Sequence, residues 1–156
     1  MTAIYLQSMP SRRAFLAALA ASAVARRNLF ADRAPSVITV YKDAGCQCCV
    51  KWVKHLSASG FVVSPNDVQN MDEIKRTMNV PRALESCHTA VVDRYVIEGH
   101  VPADVIKKFL AEKPSALGLA VPGMPIGSPG MEGARAERYN VLAFERNGTT
   151  RVYAKR

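Results

Sequence analysis

The chain has 156 residues, of which 49% are hydrophobic and 22% are charged. This length accommodates one compact domain with a short appendage, and the composition is that of a globular protein, which excludes a fibrous class and wholesale disorder. The net charge of +8 comes from basic residues scattered along the chain rather than gathered in a stripe with aromatic residues. The charge therefore predicts a solvated basic surface and no nucleic-acid partner.

The N-terminal segment contains the parts of an export signal in the expected order. Arg12 and Arg13 precede an apolar run over residues 16–24 that is too short to cross a bilayer, and a small-x-small triplet ends at Ala25. An arginine pair followed by Phe-Leu is typical of the twin-arginine route, with general secretion as the alternative route. An ordinary amphipathic helix is the alternative to a signal peptide at this end.

This interpretation divides the chain into a signal peptide, a linker and a folded domain. The three parts cover residues 1–25, 26–35 and 36–156. Bacterial export predicts that the mature protein works in the periplasm, with no membrane span after the signal has been cleaved.

The first half of the domain predicts alternating strands and helices. Short β-branched runs favour strands, apolar residues at helical spacing favour helices, and Gly60 stands where the first helix is expected to end. The predicted elements are a strand at 37–41, a helix at 48–59, a strand from 61, a helix at 72–79 and a loop from 81 to 88.

The second half predicts a hairpin, a helix and a second hairpin. Asp93-Arg94 and Asn147-Gly148 are the predicted hairpin turns, and Pro102 marks the start of the helix. The elements are strands at 89–92 and 95–97, a helix at 102–112, a glycine- and proline-rich surface loop or lid at 114–133, and strands at 139–144 and 150–153. This order predicts an α/β protein: a single thioredoxin-like domain with a C-terminal β-hairpin extension.

Three of the four cysteines lie together where the first strand meets the first helix. Cys46, Cys48 and Cys49 are too crowded to link distant segments by structural disulfides. A helix N-terminus lowers the pKa of a thiol and favours the thiolate that metal binding and disulfide exchange both need. Cys46 and Cys49 have the C-x-x-C spacing of redox dithiols, whereas Cys48 is a third soft donor that dithiol redox chemistry does not need. The extra sulfur favours a metal site.

Two further residues are predicted to reach this cluster from a distant loop. In a thioredoxin-like fold the loop that enters the third strand approaches the dithiol turn, and a cis-proline commonly lies there. This sequence has Cys87 and His88 at that point. Thiolate ligands select soft ions such as Cu(I), and neutral imidazole binds copper or zinc. We therefore predict Cu(I) as the bound metal.

Two methionines and two further histidines have surroundings that bear on the site. Met124 and Met131 lie in the predicted loop, where each thioether is either a soft copper ligand or a packing group. His55 is predicted to lie on the exposed part of the first helix. His100 either caps a helix or points towards the site, and a structural role is the prediction.

The motifs together resemble the CopG-type family of periplasmic copper-resistance proteins. The likeness extends from about Val37 to Tyr153 and includes four segments: 41–49, 86–90, 97–103 and 118–132. The resemblance implies a thioredoxin-like fold, copper binding at Cys46, Cys48, Cys49 and Cys87, and a role in metal resistance, with redox activity towards copper as a further expectation.

The sequence therefore predicts a periplasmic Cu(I)-binding protein of copper resistance or homeostasis, which meets copper ions and periplasmic copper-handling proteins. The predicted metal ligands are Cys46, Cys48, Cys49, Cys87, His88, Met124 and Met131. One alternative is a thiol-disulfide oxidoreductase in which Cys46 attacks and Cys49 resolves. A structural zinc domain is the other alternative.

Overall fold

A computed structural model describes residues 36–156, so the predicted signal peptide and linker lie outside the described residues. Within this part the chain forms seven strands and three helices, which confirms the α/β class. The elements are β1 (Val37–Lys42), α1 (Gln47–Ala58), β2 (Val62–Asp67), α2 (Met71–Thr77), β3 (His88–Val92), β4 (Tyr95–Gly99), α3 (Ala103–Glu112), β5 (Gly118–Val121), β6 (Asn140–Phe144) and β7 (Thr150–Lys155). A 3₁₀ turn at Arg82–Leu84 precedes β3.

All seven strands belong to one mixed sheet, in the order β2-β1-β3-β4-β5-β6-β7. The pairs β1–β2 and β4–β5 are parallel, and the other neighbours are antiparallel. In the β1–β3 pair, Lys42 lies opposite His88. The end of β1 and the start of β3 therefore meet at the same edge of the sheet, which brings the residues after Lys42 close to those before His88.

The helices cover the sheet because strand side chains alternate between its two faces. Trp52 of α1 and Phe109 of α3 pack against one face in the main hydrophobic cluster, together with Ile97 of β4. On the other face, Val96 packs in a second, smaller cluster. None of the helices within residues 36–156 is long and apolar enough to cross a bilayer.

The structure corrects the prediction of one continuous loop over residues 114–133. Gly118–Val121 forms β5, a buried strand that pairs parallel with β4 and antiparallel with β6. A Cβ at Gly118 would collide with the carbonyl oxygen of Val96, so glycine is required for this close pairing. The run Leu119-Ala120-Val121 was the available signal for a buried strand, but the glycines and prolines around it obscured this signal.

The prediction that His55 lies on an exposed surface is also wrong. His55 is half-buried, and its Nε2 accepts a hydrogen bond of 3.1 Å from the backbone N–H of Ala103, the first residue of α3. The backbone N–H groups of a helix's first turn have no partner within the helix. The imidazole therefore satisfies one of these donors and joins α1 to the start of α3.

This hydrogen bond predicts a pH dependence of stability. Burial lowers the pKa of His55 below its ordinary 6.5, against opposing effects from Asp104 and Glu132. As the pH falls below about 6.5, the unfolded chain gains a proton at His55 before the folded chain does, so the free energy of unfolding should fall. His55→Gln keeps an acceptor for the Ala103 N–H but does not titrate. We expect urea unfolding between pH 7 and pH 5 to show a smaller loss for His55→Gln than for the wild type, and parallel curves would contradict this role.

Candidate metal centre

The turn between β1 and α1 sets three sulfurs at a helix N-terminus. Cys46 is the N-cap residue of α1, and its N–H donates to the carbonyl oxygen of Asp43 at 3.1 Å. The Asp43 carboxylate also accepts from the Gly45 N–H at 2.7 Å, which fixes the turn. Cys48 and Cys49 follow in the first turn of the helix, which carries no acidic residue. The unpaired N–H groups of this end favour thiolates or other anions.

Cys87 approaches this turn from the start of β3. Its Sγ lies 3.8 Å from the Sγ of Cys48, which in turn lies 3.6 Å from the Sγ of Cys46. All four cysteine sulfurs lie within 4.8 Å of one another. The structure thus brings together the four cysteines named as candidate ligands, although Cys49 and Cys87 lie 38 positions apart in the sequence.

Two of the four sulfurs are joined by a disulfide between Cys46 and Cys49. Among the described residues, Cys48 and Cys87 are the cysteines with free thiols. A disulfide sulfur carries no thiolate charge, and the thiolate is the form that binds metals. The complete four-thiolate set therefore exists only after the disulfide has been reduced. The C-x-x-C spacing is visible in the sequence, but the redox state of this pair is not.

Burial keeps the Cys87 thiol protonated in the absence of a metal ion. Its pKa is raised to about 12, first by desolvation and then by the adjacent Cys48 sulfur. A bound cation reverses this preference, because it supplies the positive charge that a buried thiolate lacks. Metal binding at Cys87 therefore has to release a proton.

His100 is the site residue that sequence analysis placed in a structural role. Its Nε2 lies 3.0 Å from the Sγ of Cys87, and its Nδ1 lies 2.8 Å from the carbonyl oxygen of Pro129. A carbonyl oxygen only accepts, so Nδ1 carries the hydrogen, and Nε2 directs its lone pair towards the sulfur. A backbone carbonyl commonly fixes the tautomer of a metal-binding histidine in this way. One signal for His100 was available in the sequence. His100 directly follows β4, and β4 pairs with β3, which begins at His88.

His88 is fully buried beside the cluster. Its Nδ1 lies 3.3 Å from the Sγ of Cys87, and its ring lies 4.3 Å from the ring of Trp52, measured between centroids. Burial lowers the pKa of His88 well below 6.5, so the ring is neutral. Its Nε2 makes no hydrogen bond of standard geometry among the described residues, and the backbone of Gly99, opposite His88 in the sheet, opposes the lowering of its pKa. A buried nitrogen without a hydrogen bond of standard geometry is costly and unusual in a folded protein, which marks the ring as a candidate ligand.

Cys87, His88 and His100 form a second group of donors within 4.8 Å of one another, and this group shares Cys87 with the four-cysteine group. A set of sulfur and neutral imidazole donors suits copper or zinc and does not suit hard cations such as magnesium. The donors present therefore fit a soft or borderline transition metal.

The loop that follows β5 covers one side of the cluster. Gly130 is buried at φ +90°, and a Cβ there would lie 2.7 Å from the carbonyl oxygen of Cys48 and 3.3 Å from Nδ1 of His100. Met131 is the next residue, whereas Met124 lies on a surface turn with 39% of its area exposed. The contact made by Gly130 brings the loop to the site, and the thioether roles of the two methionines stay predictions.

Two solved structures resemble this chain over nearly their whole length. They are titled "Copper resistance protein copG- Form 2" and "Copper resistance protein copG- Form 1", with TM-scores of 0.75 and 0.74. Both are 46% identical to this chain, cover 79% of it and match over 99% and 98% of their own length. The chain belongs to the CopG family of copper resistance proteins. The resemblance inferred from the motifs is confirmed.

A family model agrees with this assignment over the centre of the chain. Residues 84–131 match a family described as "Protein of unknown function, DUF411". This segment includes Cys87, His88 and His100 together with both loop methionines. No curated protein sequence matches the chain.

The packing of Gly130 predicts that an added methyl group disturbs the site. We expect Gly130→Ala to lower both the thermal midpoint and the affinity for copper, because the loop has to move away from Cys48 and His100. Gly123→Ala is a matched control: Gly123 also has a positive φ, of +76°, but an added Cβ meets no atom within 4 Å. The control should lose about 1 kcal/mol of stability through backbone strain alone and keep its copper affinity. Equal copper affinities for the two variants would contradict the contact's role.

Proposed function

We propose that this CopG-family protein is a periplasmic copper-resistance protein that binds Cu(I) at a site centred on four cysteines. The observation that carries the proposal is the approach of four cysteine sulfurs to within 4.8 Å at a helix N-terminus, with two imidazoles beside Cys87. Thiolates are soft ligands that select Cu(I). Several sulfurs this close together can bridge more than one ion.

The proposed ligands divide into three kinds. Cys46, Cys48, Cys49 and Cys87 are the primary set after reduction, and His88 and His100 supply imidazole nitrogens around Cys87. The loop that carries Gly130 supplies thioethers from Met124 and Met131 in this proposal. Sulfur is a soft donor, and imidazole nitrogen is intermediate between soft and hard. A mixed set of these donors can accommodate both Cu(I) and Cu(II) better than a set of sulfurs alone.

The architecture supports a thioredoxin-like domain as the scaffold. A thioredoxin-like domain requires the strand order β2-β1-β3-β4, with β2 parallel to β1 and β3 antiparallel to β1. The first four strands have this order and these directions. In this arrangement the dithiol turn follows β1, and Cys87 lies directly before β3. We propose that β5, β6 and β7 are an extension that enlarges the sheet and carries the loop over the site. The export signal proposed for residues 1–25 would deliver this domain to the periplasm.

The disulfide gives the proposed site a redox step. Reduction of the Cys46–Cys49 bond consumes two electrons and two protons and yields two thiols. Two Cu(I) ions, each oxidised to Cu(II), would supply these two electrons. The reverse reaction would reform the disulfide and return the electrons to copper. Copper binding and copper oxidation state are coupled in this proposal, because the number of available thiolates depends on the disulfide.

Cu(I) titration of the reduced protein under anaerobic conditions, against a competing chelator, tests the ligand set. We expect Cys48→Ser and Cys87→Ser each to weaken binding by more than about 100-fold, because loss of a direct ligand should exceed the about 10- to 100-fold effect of losing an outer-shell partner. Met78→Leu is the control, since Met78 packs against the second hydrophobic cluster.

The second candidate function is a thiol-disulfide oxidoreductase, and the bonded Cys46–Cys49 pair favours it. In this function Cys46 attacks a substrate disulfide and Cys49 resolves the mixed disulfide. Unchanged copper affinity in Cys48→Ser and Cys87→Ser, together with loss of disulfide reductase activity in Cys46→Ser, would favour this function over copper binding.

Calorimetry of the metal-free, reduced protein separates both functions from a structural zinc site. The main core contains Trp52, Phe109 and Ile97 and does not depend on a metal ion for its burial. We therefore expect a cooperative unfolding transition without metal, at a lower temperature than with bound copper. A structural zinc domain would instead lose its folded state when the metal is removed. The absence of a transition would support that alternative.

A further inference from the structure

A buried ion pair lies on the sheet face opposite His88. Nζ of Lys75, on α2, lies 2.5 Å from a carboxylate oxygen of Glu98, on β4, and the two side chains are 5% and 0% exposed. The hydroxyl of Thr89 donates to the other carboxylate oxygen at 2.6 Å and accepts from Lys75 at 3.0 Å. A buried ion pair is often no more stabilising than apolar residues of similar size. Stability alone therefore does not account for the Lys75–Glu98 pair, and the other groups that the pair contacts indicate its role.

The carboxylate of Glu98 also binds the backbone of the loop that carries Cys87. The N–H of Ser86 donates to Oε1 of Glu98 at 2.6 Å. Ser86 directly precedes Cys87, and Glu98 lies two residues before His100. Gly99 allows this approach: its φ is +69°, and a Cβ there would lie 2.7 Å from Oγ of Ser86. One carboxylate thus joins the two segments that carry the sulfur and the imidazole.

We propose that Glu98, held in place by Lys75, is a positioning residue that sets Cys87 against His100 for copper binding. This inference rests on the proposed function. The Sγ of Cys87 and Nε2 of His100 lie 3.0 Å apart, although they come from different segments. A metal site requires its donors to be held within about 0.5 Å of the binding geometry by groups outside the ligand set. The hydrogen bond from Ser86 to Glu98 supplies that restraint on the Cys87 side.

Lys75 makes the carboxylate a fixed acceptor. Oε1 of Glu98 accepts from both Lys75 and Ser86, and Oε2 accepts from Thr89. Three donors on two oxygens leave the carboxylate little freedom to rotate. Because the cation lies on α2, this helix contributes to the position of a loop that carries a metal ligand, although none of its own residues is among the donors of the site.

An apolar replacement of the network separates positioning from stability. The triple variant Lys75→Met/Thr89→Val/Glu98→Leu leaves no buried charge without a partner, so we expect it to fold. The Ser86 amide should lose about tenfold or more of its hydrogen-exchange protection, since a hydrogen bond to a charged acceptor is removed. Copper affinity should fall by about tenfold. Ile106→Ala, a core truncation in α3, is the control for a general loss of stability and should not affect the Ser86 amide selectively.

A double-mutant cycle tests whether the network acts through Cys87. In a Cys87→Ser background the triple variant should change copper affinity less than about twofold, because the ligand being positioned is absent. An equal loss with and without Cys87 would overturn the proposal. Unchanged protection of the Ser86 amide in the triple variant would overturn it as well.

Hydrogen exchange of the metal-free protein separates this inference from the copper function. If the wild type fails to bind Cu(I) tightly, the proposed function is wrong. A selective loss of hydrogen-exchange protection at the Ser86 amide in the triple variant would still show that Glu98 fixes the loop.

If the triple variant does not fold, Glu98→Gln is the variant to measure, since its side-chain amide keeps one acceptor oxygen. We expect it to lose part of the Ser86 protection while β1 keeps its own. Full retention of the Ser86 protection would overturn the proposal.

Discussion

The antiparallel pairing of β1 with β3 is the constraint on which the site depends. Because Lys42 lies opposite His88, the turn after β1 and the loop before β3 leave the sheet at the same edge. The cysteines of the turn then lie within reach of Cys87. A shift of one residue in this register would turn every side chain of β3 to the opposite face of the sheet. His88 would leave the face occupied by Trp52, and the donor set would no longer converge.

The two faces of the sheet contribute different parts of the site. On one face, α1 supplies the cysteines and packs Trp52 against His88, so the same helix builds the core and carries the thiols. On the other face, the Lys75–Glu98 pair contacts the backbone beside Cys87. The loop after β5 adds a third restraint, because Gly130 fits between Cys48 and His100. Packing and polar contacts therefore hold the site from several directions.

The chemistry of the site follows from burial and from the disulfide. Burial favours neutral forms of Cys87, His88 and His100, so the raised pKa of the thiol and the lowered pKa values of the imidazoles share one cause. A soft cation supplies the charge that thiolates need and accepts the neutral nitrogens as they are. The Cys46–Cys49 disulfide meanwhile controls how many thiolates exist. The same four sulfurs are therefore candidates both for metal binding and for redox exchange.

Local sequence patterns were sufficient to predict the elements that have clear signals along the chain. Helical spacing after Cys46, β-branched strands and the Asp93-Arg94 turn predicted α1, β1 and the β3–β4 hairpin, and the motifs identified the family. Local patterns failed where packing decides: β5 is a strand because β4 and β6 enclose it, and His55 is half-buried because it accepts from Ala103. Only the tertiary structure revealed His100, Gly130 and the Ser86–Glu98 contact as parts of the site. The physical reason is that periodicity reports neighbours along the chain, whereas these contacts arise from strand register and loop packing between residues distant in sequence.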